Sequence, residues 1–285
     1  MKSIPSTPIT RRAFLHRSAL GAASLTLSAG SPQAGEATVR RQIPVGVQLY
    51  SVRDQCAKDL PGTLAAVAKI GYKGFEFAGY HGRTATELRK ILDDLGVVAC
   101  GTHTGYPTVQ DDKLEETIEF NRILGNKFLI VPSMGGKTRQ DWLDRAKEFN
   151  ELADKLKPHG MWIGYHAHAH DFHKFDGVTA WDLFFGNTKR EVIMQLDTSN
   201  CCDGGADPVA VLKKYPGRAK SIHIKAHGGG PEAVFGEDKV NWPAVFEWCE
   251  TEGGTQWYVV EHETSKDPID AVRRAYAALK QMGKV

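Results

Sequence analysis

Residues 192–225 read VIMQLDTSNCCDGGADPVAVLKKYPGRAKSIHIK, and their pattern decides the fold. Val192–Asp197 and Ala219–Lys225 are short apolar runs of strand length, with an amphipathic stretch, Pro208–Lys214, between them. Apolar, β-branched runs that alternate with helical patterns build strand–helix units on a parallel sheet. The alternation continues in both directions. Upstream lie Val45–Tyr50, Lys73–Phe77, Val97–His103, Lys127–Pro132 and Met161–His166, and Gln256–Glu261 follows downstream, which makes eight strands. Helical patterns occupy Leu60–Ile70, Thr84–Leu95, Lys113–Leu124, Arg139–Lys157 and Trp242–Glu252, and Asp267–Met282 closes the chain. The fifth connection has the weakest helix, around Val178–Phe185. Gly71, Gly96 and Gly125 stand where the first three helices must stop, because a residue without Cβ adopts φ > 0 at little cost. Eight units predict an α/β fold, a single-domain (β/α)8 barrel, in preference to an open doubly wound sheet. A helical solenoid is set aside because no side-chain signature repeats.

The 285 residues begin with a segment that reads as an address. Thr10-Arg-Arg-Ala-Phe-Leu-His-Arg17 precedes a weakly hydrophobic run, Ala19–Leu27, too short to span a bilayer. Arg11-Arg12 with Phe14-Leu15 resembles a twin-arginine signal, which implies export, to the periplasm or otherwise out of the cytoplasm, of a chain that is already folded. Residues 1–37 are therefore read as signal and linker and 38–285 as the barrel. Roughly 245 residues then remain, the size of one such domain. Hydrophobic residues at 41% suffice for a sizeable core, and a net charge of +2 without runs of like charge argues against nucleic acid as a partner. No segment predicts a stable membrane anchor. Five scattered cysteines without a CxxC pair indicate neither a disulfide framework nor a thiolate metal site, and adjacent Cys201 and Cys202 are expected to be ordinary thiols.

In a barrel of this kind the strands' C-terminal ends form the active site. Here they are polar: Glu76, His103, His166 followed by His168 and His170, Asp197, His223 with Lys225, and Glu261. Side chains alternate along a strand, so His166 and His168, Gln195 and Asp197, His223 and Lys225, and Val259 and Glu261 can face inward together. Burying that many ionisable groups without partners is costly, so convergence on one point is the economical explanation. The mixed N/O donor set suits Mn, Zn, Fe, Co or Mg. A looser reading makes the His-Ala-His-Ala-His run a metal-scavenging tract, with His170 and His173 belonging to that alone.

Gly-Val-Gln48-Leu-Tyr50-Ser-Val-Arg53, Gly-Tyr-Lys-Gly-Phe-Glu76, Tyr-His166-Ala-His168, Leu-Asp197-Thr, His223-Ile-Lys225 and Val-Glu261 together resemble the xylose isomerase-like TIM-barrel superfamily, in particular its sugar phosphate isomerase/epimerase group. The resemblance runs from about residue 43 to the C-terminus. It implies one divalent metal held by His166, Asp197, His223 and Glu261, and a small carbohydrate substrate contacted by Gln48, Tyr50 and His103. Ketose epimerases of the superfamily bind metal through Glu, Asp, His and Glu, with both glutamates moving protons. His166 replaces the first glutamate here, so a second proton-transfer group must come from His168, Glu76 or Lys225.

The expected chemistry is removal of a proton beside a sugar carbonyl by Glu261, giving an enediolate. Isomerisation or epimerisation is the leading outcome, and β-elimination from a 3-keto-glycoside is the alternative. Export favours an unphosphorylated substrate, and Gly228-Gly229-Gly230 is a weak phosphate-cradle candidate that reads better as a loop. Tyr50, Tyr80, Tyr106 and Trp242 are candidates for stacking on a sugar ring. Two other classes compete: an endonuclease on the same barrel, which needs a multi-metal cluster and a phosphate-binding surface, and an exported binding protein without turnover.

Overall fold

A computed structural model describes residues 42–285; the leader segment and the boundary at residue 37 lie outside them. In chain order the elements are β1 (Val45–Gln48), α1 (Arg53–Lys58), α2 (Leu60–Ile70), β2 (Gly74–Phe77), α3 (Ala85–Leu95), β3 (Val98–His103), α4 (Lys113–Leu124), β4 (Phe128–Val131) and α5 (Arg139–Leu156). There follow β5 (Trp162–His166), β6 (Lys174–Phe175), β7 (Val178–Thr179), α6 (Ala180–Phe185), β8 (Ile193–Asp197), α7 (Thr198–Asp203), α8 (Pro208–Lys214), β9 (Ser221–Ile224), α9 (Trp242–Thr251), β10 (Trp257–Val260) and α10 (Pro268–Gln281). The eight long strands pair in parallel as a closed ring, β1-β10-β9-β8-β5-β4-β3-β2. This is the (β/α)8 barrel that the alternation predicts.

Local chemistry explains the boundaries. Thr84 and Glu87 form a reciprocal capping box at the start of α3, and Thr138 and Asp141 do the same for α5. Gly96 and Gly125 end α3 and α4 in the left-handed region, at φ 65° and 81°. Strand one is shorter than expected: Gln48 Oε1 accepts the Tyr50 N–H at 3.0 Å and turns residues Leu49–Val52 into a 3-10 turn, so Tyr50 leaves the sheet. In the fifth connection a small hairpin, β6–β7, with left-handed Asp176 and Gly177 at its turn, precedes the helix, which spans only Ala180–Phe185.

Register stacks the interior into layers. Gln48 is opposite Glu76, His166 opposite Gln195, and Asp197 opposite His223. Phe128, Ile130 and Ile193, with Trp162 and Trp257 against them, fill the N-terminal end. A Cβ on Gly164 would come within 2.6 Å of Ile130 Cδ1, so glycine leaves the room that Ile130 fills. Gly101 does the same higher up, where a Cβ would lie 2.5 Å from Glu76 Oε1.

Candidate metal centre

Four strands deliver the centre. His166 and Asp197 end β5 and β8, His223 lies within β9, and Glu261 follows β10; all are buried, and one donor atom from each lies within 4.8 Å of the others. His223 Nδ1 is 2.9 Å from Glu261 Oε2 and 3.8 Å from Asp197 Oδ2. Asp197 uses Oδ1 to accept the Asn200 N–H at 2.7 Å, while its buried Oδ2 accepts no hydrogen bond and has only the longer ionic contacts to His223 and Lys225, at 3.8 and 3.7 Å. A buried carboxylate oxygen without a donor is costly. A divalent cation among two imidazoles and two carboxylates would satisfy it, so the residues present fit a metal.

Behind this ring stands a second layer that orients it. Glu76 accepts from Gln48 Nε2 at 2.8 Å and Gln195 Nε2 at 2.7 Å, and its Oε2 lies 2.5 Å from His223 Nε2. Because the Gln195 amide donates to Glu76, its Oε1 accepts from His166 Nδ1 (3.1 Å) and His103 Nε2 (3.0 Å). That hydrogen bond fixes the His166 tautomer and leaves Nε2 with the lone pair a metal needs. The His103 ring lies parallel to His223, with centroids 5.3 Å apart.

Electrostatics follow from burial among these charges. Burial alone would depress His223, but the Glu76 and Glu261 carboxylates outweigh it and raise its pKa to about 10. Burial lifts Asp197 to about 7 despite nearby Lys225. Burial opposes ionisation of Glu261 too, yet His223 and Lys225 hold it well below the usual carboxylate range. Lys225 Nζ lies 2.7 Å from Glu263, 3.6 Å from Glu261 and 3.7 Å from Asp197, and these carboxylates overcome its burial and keep it protonated. His168, 5.0 Å from His166 between ring centroids, is lowered to about 4 by burial and then by His170, so it is neutral.

The structure thus brings His166, Asp197, His223, Glu261, Lys225 and His168 together, with His103 beside them. Three expected site residues stand apart from this group. Glu76 is fully buried behind His223 with donors on both oxygens, and Gln48 spends its amide on Glu76 and Tyr50, so neither faces the ring's open side. Tyr50 is 44% exposed and carries the Arg53 guanidinium 4.5 Å above its ring. Trp242 is core, packed on Phe235 and Phe246, and Tyr106 is held by Glu148 and Arg145. Beside Gly229 and Gly230 stand Glu232, Glu237 and Arg274, and with the arginine already paired to Glu237 the net charge there opposes a phosphate. His170 bonds the Met134 carbonyl, and all five cysteines are free. Gln195 and Glu263 do not appear among the site residues expected from sequence; the inward register that Gln195 shares with Asp197 was its one signal.

A family model described as xylose isomerase-like TIM barrel matches residues 64–282, most of the described barrel. The chain belongs to the xylose isomerase-like TIM-barrel family. Members named as isomerases, epimerases and dehydratases surround it. It is 23% identical over 259 residues to the inosose dehydratase of Clostridium tetani, covering 75% of this chain and 85% of that protein. Over 256 residues it is 23% identical to the rhizopine catabolism protein MocC of Rhizobium meliloti, covering 76% and 78%. Among solved structures, a sugar phosphate isomerase/epimerase from Parabacteroides distasonis superposes with TM-score 0.75 at 25% identity, covering 85% of this chain and 99% of that one.

Proposed function

We propose that this chain is a divalent-metal-dependent enzyme that removes the proton beside the carbonyl of an unphosphorylated sugar or sugar derivative. The carrying observation is the buried ring of His166, Asp197, His223 and Glu261, in which Asp197 Oδ2 accepts no hydrogen bond. A bound ion would polarise the carbonyl and stabilise the charge that develops when the adjacent C–H is broken. Glu261, ionised at neutral pH, is the base. Protonated Lys225, 3.6 Å from Glu261 Oε2, is the group that returns a proton to oxygen, and Glu263 positions it. Neutral His168 supplies the remaining transfer position near His166.

Return of the proton to carbon completes an isomerisation or epimerisation. Elimination is supported by one specific feature: His166 contributes no carboxylate, and Glu76 lies behind His223, so a second glutamate base on the opposite face is missing among the described residues. Glu261 and Lys225 then act from one side as base and acid, which suits loss of water or of an alcohol β to the carbonyl. The inosose dehydratase relatives and the 3-keto-glycoside alternative both fall under that chemistry. The Arg11-Arg12 segment supports export through a twin-arginine route, and a reporter fused to residues 1–41 should reach the periplasm and lose that ability when both arginines become lysine.

Metal content by mass spectrometry tests the centre. About one equivalent of transition metal per chain is expected, lost in Asp197→Ala and in His223→Ala. Turnover of keto-sugars and 3-keto-glycosides, followed as carbonyl rearrangement or as enone absorbance, then separates the outcomes. A metal-free protein whose metal affinity the two variants leave unchanged would sink the mechanism.

A further inference from the structure

A cavity of about 390 Å³ opens beside the metal centre, between the loop after β2 and the N-terminal half of α4. Its inner wall includes His103, whose ring centroid is 4.8 Å from His166 and 5.3 Å from His223, so the cavity adjoins the ring of ligands without containing it. Tyr80 and Phe120 line another side, stacked with centroids 4.1 Å apart, and Asn121 Nδ2 donates to the Tyr80 hydroxyl at 3.5 Å. The volume lies within the range of about 300–1,000 Å³ usual for small-molecule sites. Aromatic walls suit the C–H face of a sugar ring or a flat aryl group. The cavity's charged lining residues are Lys113 and Glu116, one turn apart on α4 with opposite sign. Their charges cancel, so the cavity offers a phosphate no net positive charge and a neutral occupant fits better.

We infer that this cavity is the subsite for the uncharged second ring of a glycoside, a sugar or an aryl group, whose reacting ring sits over His166, Asp197, His223 and Glu261. The inference rests on the sugar reading proposed above and narrows its substrate class from free monosaccharides to glycosides. In the elimination outcome the second ring is the leaving group: the C–H bond beside the carbonyl breaks, the C–O bond to the second ring breaks, and the departing oxygen takes a proton, leaving an unsaturated ketone and an alcohol. No oxidant or reductant is consumed.

The test compares binding of two unreactive probes, p-nitrophenyl β-D-glucoside and D-glucose, to the metal-loaded protein by ligand-observed NMR titration. The glucoside is expected to bind at least about tenfold more tightly, a difference of about 1.4 kcal/mol. Thr108→Trp, an exposed change at the cavity's rim, should collapse that ratio toward one, and Phe120→Ala should reduce it. Equal affinities in the wild type, no binding of the glucoside, or a preference that survives Thr108→Trp would each overturn the subsite. The sugar reading fails differently: a glucoside preference in a protein that holds no metal and turns over no keto-sugar would keep the cavity and discard the chemistry.

Discussion

The two ends of the barrel interior are built by the same strands and behave in opposite ways. β5 supplies Trp162 to the N-terminal end and His166 to the C-terminal end, and β8 supplies Ile193 and Asp197. Each pair is four residues apart on one inward face. Below, Phe128, Ile130 and Ile193 form an apolar plug that is stabilising without any ligand. Above, Asp197 Oδ2 is buried and accepts no hydrogen bond, and His223 is held charged between two carboxylates. That arrangement costs folding free energy until a cation joins it. The lower end holds the barrel together, and the upper end places charge where chemistry needs it.

Substitutions at the two ends should therefore separate stability from function. The largest effect is expected above: Glu261→Gln should lower turnover by on the order of 10²–10⁴ while the protein stays folded at the assay temperature, as steady-state kinetics and thermal unfolding would record. Below, Ile193→Ala should cost about 2–5 kcal/mol in denaturant unfolding while metal per chain stays constant. Loss of metal in step with stability would show that the two ends are one unit. Glu76→Gln sits between them. It keeps the shape, weakens the orientation of His223, and should reduce metal affinity by about 10–100-fold in a competition titration with a chelator.

The smallest effect, taken per pH unit, is a slope. A metal must displace the proton of His223, held up to about 10, and below about 7 also that of Asp197. Affinity should thus rise with pH, by about tenfold per unit between those values and more steeply below the lower one. A pH-independent affinity would mean that neither group carries a proton into the empty centre.

Some of this contrast was legible in the residues alone. α2, α4 and α8 begin and end where the pattern places them, because glycine stops, caps and apolar periodicity are local. The polar strand ends His166, Asp197, His223 and Glu261 were legible too, since alternation assigns each an inward face. Tyr50 leaves the expected strand because one side-chain hydrogen bond, Gln48 Oε1 to the Tyr50 amide, ends it at Gln48. Apolar pattern carries no trace of that bond. Trp242 looked like a stacking platform only because a sequence does not show which aromatics pack on Phe235 and Phe246.

By itself, then, the sequence determined eight strand–helix units and an inward set of imidazole and carboxylate side chains able to hold a metal, both of which follow from spacing within a few residues. Only the closed barrel decided that Glu76 stands behind His223, that Gln195 sets the His166 tautomer, and that a neutral cavity opens beside His103. Glu76 and His223 are 147 residues apart, and what brings them within hydrogen-bond reach is closure of the sheet on itself, a cooperative outcome of all eight strands.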